Sequence, residues 1–436
     1  MSQVKIGLLG LGTVGGGTVN VLKRNAQEIS RRAGKEVVVV HAAARDLSKP
    51  RICDTDGIKL TTNPAEVVND PEVEIVVELI GGDGLARELV LTAIEQGKHV
   101  VTANKALIAK HGNEIFAAAD AKGVTVAYEA AVAGGIPIIK AVREGLSANR
   151  IEWLAGIING TGNFILTEMR DNGTDFADVL AEAQRLGYAE ADPTFDVEGI
   201  DAAHKLTILA SIAFGMPLQF DKAYTEGITK ITGDDVACAE KLGYRIKHLG
   251  ISRRTENGIE LRVHPTLIPE RRLIANVDGV MNAVLVQGDA VGPTLYYGPG
   301  AGDEPTASAV IADVVDVVRT MGAAVENRVP HLAFQADAIN NMTILDMGEV
   351  ETSYYLRISA ADRPGVMAEL TKILGDRGIS IEAMIQQEPA EGESNANIIM
   401  LTHKVQEKCM NDAIAMIESL DTVAGEVMRI RMESLS

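Results

Sequence analysis

Cysteine is scarce in this chain: Cys53, Cys238 and Cys409 are the only three among 436 residues, they lie far apart, and no C-x-x-C pair occurs. That excludes a disulfide framework and a cysteine-based zinc cluster, and it fits a reduced compartment. Basic residues are in deficit too, with 41 Lys and Arg against 60 Asp and Glu, a formal charge of -19. A nucleic-acid partner requires clustered Lys and Arg, so no nucleic acid is expected, and any phosphate-bearing ligand has to be held locally. No apolar run approaches the roughly 18 residues of a membrane span. The first such run, residues 4–11, has no basic region before it and soon meets glycines and Asn20, so it reads as a strand rather than a signal peptide. Neither a membrane partner nor export is expected, which places the protein in the cytoplasm. Repeats and low-complexity tracts are also missing.

What is present is enough chain for two or three domains with sizeable apolar cores. Residues 4–9 form an apolar strand that runs directly into Gly10, Gly12 and Gly15 in G-x-G-x-x-G order, and a helical run follows to about residue 29. In that setting the first glycine permits the tight turn, the second admits a pyrophosphate and the third allows close helix packing. Residues 37–44 read as the second strand, whose end usually carries an acidic residue for the ribose 2′-hydroxyl of NAD. Here Arg45 comes first and Asp46 second. An arginine there accepts a 2′-phosphate, so NADP is favoured and NAD left open.

Strands at 73–79, 99–102 and 124–128 alternate with helices at 85–96 and 106–121, the pattern of a doubly wound parallel sheet. Lys105 falls at a strand end, where such sheets bind ligands. The alternation stops at the loop that starts at Glu129 and carries Gly134, Gly135 and Pro137, before a helix at 138–146. A carboxylate and backbone carbonyls in an irregular loop suit a hard cation, with a plain tight turn as the alternative. A strand at 151–158 leads to Asn159, Thr161 and Asn163, which cap a helix beginning near residue 164 or touch substrate. Further on, a helix near 234–242 and strands at 244–253 and 259–268 suggest an open mixed sheet. A glycine-rich turn ending at Gly302 precedes a helix at 306–319. The tail reads as β-α-β-β-α-β from about residue 354 to 432.

Between these parts lies a crowd of carboxylates, Glu190, Asp192, Asp196 and Asp201, followed by Lys205. Gly187 and Pro193 keep its first half from being continuous helix, while Asp201 and Lys205 share a face at i,i+4 spacing in the run 200–214. The pair alone is equally a solvated surface ion pair.

The ordered set Ala183, Gly187, Asp192, Pro193, Asp196, Gly199, Asp201 and Lys205 resembles the signature of homoserine dehydrogenases, and the glycine turn, the segment ending at Lys105, the Glu129 loop and Gly302 agree in order. The segment Asp362 to Met367 is similar to the ligand loop of ACT domains, a likeness covering 351–432. The resemblance implies an α/β chain with a Rossmann-type doubly wound sheet, an α+β substrate and dimerisation domain with a mixed sheet, and a βαββαβ ACT-like domain. The expected layout is a dinucleotide domain at 1–130 completed by a helix at 303–325, a substrate domain at 131–302, a linker at 326–349 and the ACT-like domain at 350–436. Position by position, the family implies Gly12, Thr13 and Val14 at the cofactor pyrophosphate, Arg45 on its adenosine side, and Lys105, Gly187 and Gly302 near the reacting carbon. Glu190, Asp196 and Asp201 match substrate carboxylates, Lys205 the proton donor with Lys105 as its rival, and Glu129, Val132, Gly134 and Ile136 a sodium or potassium site. Gly162 departs from the Thr, Ser or Cys found in many relatives.

The implied reaction is reversible reduction of aspartate semialdehyde to homoserine by NADPH or NADH, in threonine, methionine and isoleucine biosynthesis. Glu190 and Asp196 would grip the substrate ammonium while Asp201 keeps Lys205 charged and aimed. Threonine is the expected effector at the tail, and a homodimer or homotetramer is expected because ACT modules pair. An acyl-phosphate-forming semialdehyde dehydrogenase would need a cysteine nucleophile, which neither Cys53 nor Cys238 is placed to supply. A purely nucleotide-sensing regulator would leave the Glu190 to Lys205 cluster without a role.

Overall fold

Val4, Ile6, Leu8 and Leu9 are apolar with no polar face, as a strand covered on both sides must be. In the structure, a computed structural model describing residues 2–324, 327–386 and 394–436, they lie in β1 (Gln3–Leu9) at the middle of a six-stranded parallel sheet. The other strands are β2 (Glu36–Ala43), β3 (Lys59–Thr61), β4 (Ile75–Glu78), β5 (His99–Thr102) and β6 (Val126–Ala127), in the order β3-β2-β1-β4-β5-β6. The order reverses at β1, so the carboxyl ends of β1 and β4 flank a crevice open to a ligand. Helices α1 (Thr13–Arg24), α2 (Ala26–Ala33), α3 (Pro64–Asn69), α4 (Leu85–Glu95) and α5 (Lys105–Lys122) provide the crossovers. The helical run expected to reach residue 29 is broken at Asn25, which separates α1 from α2.

The chain forms two compact units, each made of discontinuous segments. The first comprises Met1–Gly160, Asp201–Ala223 and Val280–Met342. Besides the parallel sheet it holds an antiparallel group in which Met281–Gly288 pairs with both Ile151–Ile157 and Gly292–Pro299. Neither strand of the 281–299 hairpin was expected, because Met281–Gly288 lacks clean polar–apolar alternation. The helix Asp303–Thr320 packs Val310, Val314 and Val317 into the core of the parallel sheet. It stops at Thr320, short of the expected 325, a residue outside those described. The expected helix at 138–146 is one α-turn, Ile138–Lys140, continued by a π-helix, Ala141–Gly145.

The second unit comprises Thr161–Ile200, Tyr224–Gly279 and Thr343–Ser436. Its strands Tyr244–Arg254 and Ile259–Pro269 form a long antiparallel pair. The tail has the βαββαβ order, Glu351–Ala361, Val366–Gly375, Ile381–Gln386, Asn395–Thr402, Glu407–Glu418 and Met428–Met432. Its last strand runs antiparallel to Glu351–Ala361 and parallel to Ile259–Pro269. The tail therefore continues the sheet of this unit. Among the described residues no helix is long and apolar enough to cross a membrane.

Candidate active site

Asp201 opens a helix, Ile200–Phe214, whose residues from Asp201 onward are all buried. A carboxylate in the first turn is favoured there by the helix dipole. Its two oxygens are divided between two lysines: Lys205 Nζ lies 2.7 Å from Oδ2, and Lys105 Nζ lies 2.8 Å from Oδ1. Lys205 also donates to the main-chain carbonyl of Ile158 at 2.7 Å, and Asn159 Nδ2 donates to Asp201 Oδ2 at 2.9 Å. Burial alone would raise the Asp201 pKa, but the two adjacent ammonium groups hold it far below the usual carboxylate range. Lys105 is placed by Asn104, which caps α5 by accepting from Leu107 N and ties back to the Gly82 carbonyl. The lysines differ in access: the Lys205 side chain is 11% exposed and that of Lys105 34%. The neighbouring His204 is buried against Phe220, and burial pushes its pKa down to about 4, so it is neutral at physiological pH.

The glycine turn after β1 has the geometry its spacing implies. Gly10 has φ +104°, and a Cβ on Gly15 would come within 2.1 Å of the Gly10 carbonyl oxygen. A Cβ on Gly12 would meet nothing within 4 Å, so the turn is open where a pyrophosphate approaches. Thr13 and Val14 are the first residues of α1. Arg45 is exposed just past β2, whereas Asp46 is engaged by the amide and hydroxyl of Ser48 at 2.9 and 2.6 Å. Arg51 Nη1 donates to the Leu11 carbonyl at 2.9 Å, over the glycine turn. Gly302, with φ +130°, precedes the helix Asp303–Thr320.

Glu129 is buried and accepts from Ile139 N and Lys140 N, both at 2.8 Å, while its own amide donates to Asp313 Oδ2 at 2.7 Å. Burial, reinforced by Asp313, pushes the Glu129 pKa up to about 7, and burial takes Asp313 to about 6. Lys140, whose Nζ lies 3.6 Å from Asp313 Oδ1, offsets only part of the negative charge of these two buried carboxylates. Val132, Gly134 and Ile136 follow in the same buried loop, with Ala133 in a left-handed conformation at φ +50°. Among the described residues no group of three or more His, Cys, Asp or Glu side chains is arranged to hold a metal, so a cation here would need main-chain carbonyls besides Glu129.

Gly187, Glu190 and Asp196 belong to the second unit, whereas Asp201 and both lysines belong to the first. Gly187 has φ +78° in an exposed turn, Glu190 is exposed, and Asp196 sits in the short helix Thr194–Val197. The helix expected near residue 164 begins at Gly160, so Thr161 and Asn163 are inside it and are not its caps. Thr161 Oγ1 donates to the Tyr188 carbonyl at 2.7 Å, pinning the turn that carries Gly187. Asn163 Nδ2 donates to the carbonyls of Val277 and Gly279 at 3.0 and 2.9 Å.

The chain is similar over its whole length to known proteins. The family model for homoserine dehydrogenase matches residues 137–315, that for the homoserine dehydrogenase NAD binding domain residues 10–129, and that for the ACT domain residues 354–409. The chain is 67% identical over 436 residues to a homoserine dehydrogenase of Pseudomonas aeruginosa, covering 100% of both. It is 57% identical over 438 residues to that of Neisseria gonorrhoeae, again covering 100% of both. A solved homoserine dehydrogenase from Thiobacillus denitrificans has a TM-score of 0.95 at 68% identity, covering 100% of this chain and 99% of that one. Another, from S. aureus, has a TM-score of 0.76 at 32% identity over 99% of each chain.

Proposed function

The chain belongs to the homoserine dehydrogenase family, NAD(P)-dependent oxidoreductases acting on a CH–OH group, and on that premise we propose that it interconverts L-aspartate 4-semialdehyde and L-homoserine with Lys205 as proton donor, as a step towards threonine, methionine and isoleucine. The observation that carries the residue assignment is the Asp201 carboxylate shared between Lys205 and Lys105. The bound nicotinamide cofactor supplies the hydride to the aldehyde carbon. The Lys205 ammonium gives a proton to the carbonyl oxygen and becomes an amine, and in homoserine oxidation it takes that proton back. Asp201 favours the ammonium and, with the Ile158 carbonyl, fixes its direction. Lys105, the more exposed of the two, orients the carbonyl. Glu190 and Asp196 bind the substrate ammonium.

On the cofactor side, Gly10, Gly12, Thr13, Val14 and Gly15 hold the pyrophosphate, Gly187 and Gly302 line the nicotinamide end, and Arg45 selects NADP by its 2′-phosphate. The engagement of Asp46 by Ser48 supports that preference. Replacing Arg45 with alanine is expected to raise KM for NADP by about 10- to 100-fold, the worth of a charge-assisted phosphate contact, with little change for NAD. Initial rates with each cofactor check this; an equal change for both would remove Arg45 from the specificity role.

Glu129, with the carbonyls of Val132, Gly134 and Ile136, suits sodium or potassium. The raised Glu129 pKa has a sign that can be tested. A carboxyl whose folded pKa, about 7, lies above its ordinary value of 4.5 destabilises the fold increasingly as pH rises between the two. A bound cation offsets that loss. The gain in Tm from NaCl or KCl over choline chloride should therefore be larger at pH 8 than at pH 5 and should vanish in Glu129→Gln; a gain independent of pH and of Glu129 would argue against the site.

The domain layout proposed is the dinucleotide domain at 1–130 with the 303–325 helix, the substrate domain at 131–302 and the regulatory tail at 350–436, in a cytoplasmic homodimer or homotetramer. Threonine is proposed as the effector of the tail. Removing the tail does not test this cleanly, because the strand Met428–Met432 pairs with Ile259–Pro269 and its loss would strip that sheet. Arg363→Ala in the exposed loop after Glu351–Ala361 is the milder change, expected to weaken threonine inhibition while leaving turnover intact. Undiminished inhibition would move the effector elsewhere.

A further inference from the structure

The C-terminal strand Met428–Met432 carries two arginines that converge on one carboxylate. Arg431 Nη1 lies 2.9 Å and Arg429 Nη2 3.2 Å from the same Oε2 of Glu226, and the Tyr224 hydroxyl donates to it at 2.7 Å. Arg431 is fully buried and also binds both oxygens of Glu407. Burial would raise the Glu226 pKa, but Arg431 and its neighbours hold it below the usual range. Glu226 itself is partly exposed, so its loss would leave Arg431 with Glu407 as its counter-charge.

Glu226 does more than anchor the tail, because the residues around it are laid along the stretch that leads to Asp201. Glu226 N donates to the Val263 carbonyl at 2.8 Å, and its carbonyl lies 2.9 Å from His248 Nε2. Ile228 N donates to the Val197 carbonyl at 2.9 Å, and Thr229 Oγ1 donates to Glu198 at 3.2 Å. Gly227 is so close that a Cβ there would come within 2.4 Å of Glu198 Oε2 and 2.7 Å of the Val197 carbonyl oxygen. The His248 ring in turn lies 3.1 Å from where a Cβ on Gly199 would stand, and Gly199, at φ +83°, turns the chain into the helix of Asp201. The path from the tail to Asp201 is thus Arg429 and Arg431, Glu226, residues 227–229, then 197–199. Alongside it runs a cleft of 870 Å³ whose lining includes Glu198, Glu226, Gly227, Thr229, Met428 and Arg429.

The geometry points to Glu226 as a positioning residue, the carboxylate through which the C-terminal strand sets the conformation of residues 197–199 and hence the aim of Asp196 and Asp201 at either end. This rests on reading those two aspartates as substrate-binding groups, a reading that homoserine turnover by the unaltered chain tests separately. The test compares Glu226→Gln with Asp235→Asn in the full chain. Asp235 accepts from Arg357 at 2.7 Å and so forms another buried ion pair of the tail, one made with neither Arg429 nor Arg431. Glu226→Gln is expected to raise KM for homoserine by roughly 3- to 30-fold, the range of such couplings, with KM for NADP unchanged. Asp235→Asn is expected to lower Tm at least as much and leave KM for homoserine unchanged, the result of a purely structural loss. If KM for homoserine rises equally in both variants, or stays fixed in Glu226→Gln, the positioning role is overturned. Should Glu226→Gln fail to fold, Arg429→Gln, which removes one of the two arginines on Glu226 together with the Arg429 pair to Glu407, is read for the same split.

Discussion

Lys205→Ala is expected to lower kcat for homoserine oxidation by about 10²- to 10⁴-fold, the usual contribution of a positioned general acid or base, while the affinity for NADP is retained. The affinity is spared because the glycine turn and Arg45 do not depend on this side chain. Turnover collapses because Lys205 Nζ is held at 2.7 Å by both Asp201 and the Ile158 carbonyl, so no other group can take its exact place. Lys105 is the nearest substitute, attached to the other oxygen of the same carboxylate. If Lys205→Ala keeps full turnover and Lys105→Ala does not, the proton donor is Lys105. Steady-state kinetics of both variants, with cofactor binding measured separately, decide between them.

Asp201→Asn should produce the second large loss, and its pH dependence distinguishes it from the first. The change keeps the shape but removes the charge shared by two lysines. Buried Lys205 then loses its main counter-charge, and desolvation moves its pKa downward. Aldehyde reduction needs the ammonium, so its rate should fail at a lower pH than in the parent; homoserine oxidation needs the amine, so its acidic limb should move to lower pH too. Stability falls as well. The depressed Asp201 pKa contributes stability above its unfolded pKa, lost only as pH drops through the folded value. Breaking a buried pair costs about 3–5 kcal/mol, so Tm at neutral pH should drop clearly. Unchanged pH–rate limbs in Asp201→Asn would show that it does not set the charge on Lys205.

The sequence revealed those parts of the site that depend on local spacing. Asp201 and Lys205 are one helical turn apart, and the glycine turn follows a strand, so both were legible before any coordinates. The attachment of Lys105 to Asp201 was not, since it joins the start of α5 to a helix far along the chain. Residues 159–163 read as a turn because of their glycines and asparagines, yet the helix starts at Gly160, where the missing side chain lets the backbone lie against the Val280 carbonyl. Tertiary packing overrode propensity there. The hairpin at 281–299 was missed because strand periodicity is weak in it. The βαββαβ order of the tail was visible, but nothing in its periodicity shows that Arg431 is buried against Glu226 and Glu407 or that its last strand joins the preceding sheet.

The most direct measurement is the initial rate of cofactor reduction when the purified full chain is given L-homoserine with NADP or with NAD. Reduction that requires homoserine, is faster with NADP and is largely abolished in Lys205→Ala is the predicted result. A folded protein that binds the cofactor yet turns over homoserine with neither would contradict the proposed reaction.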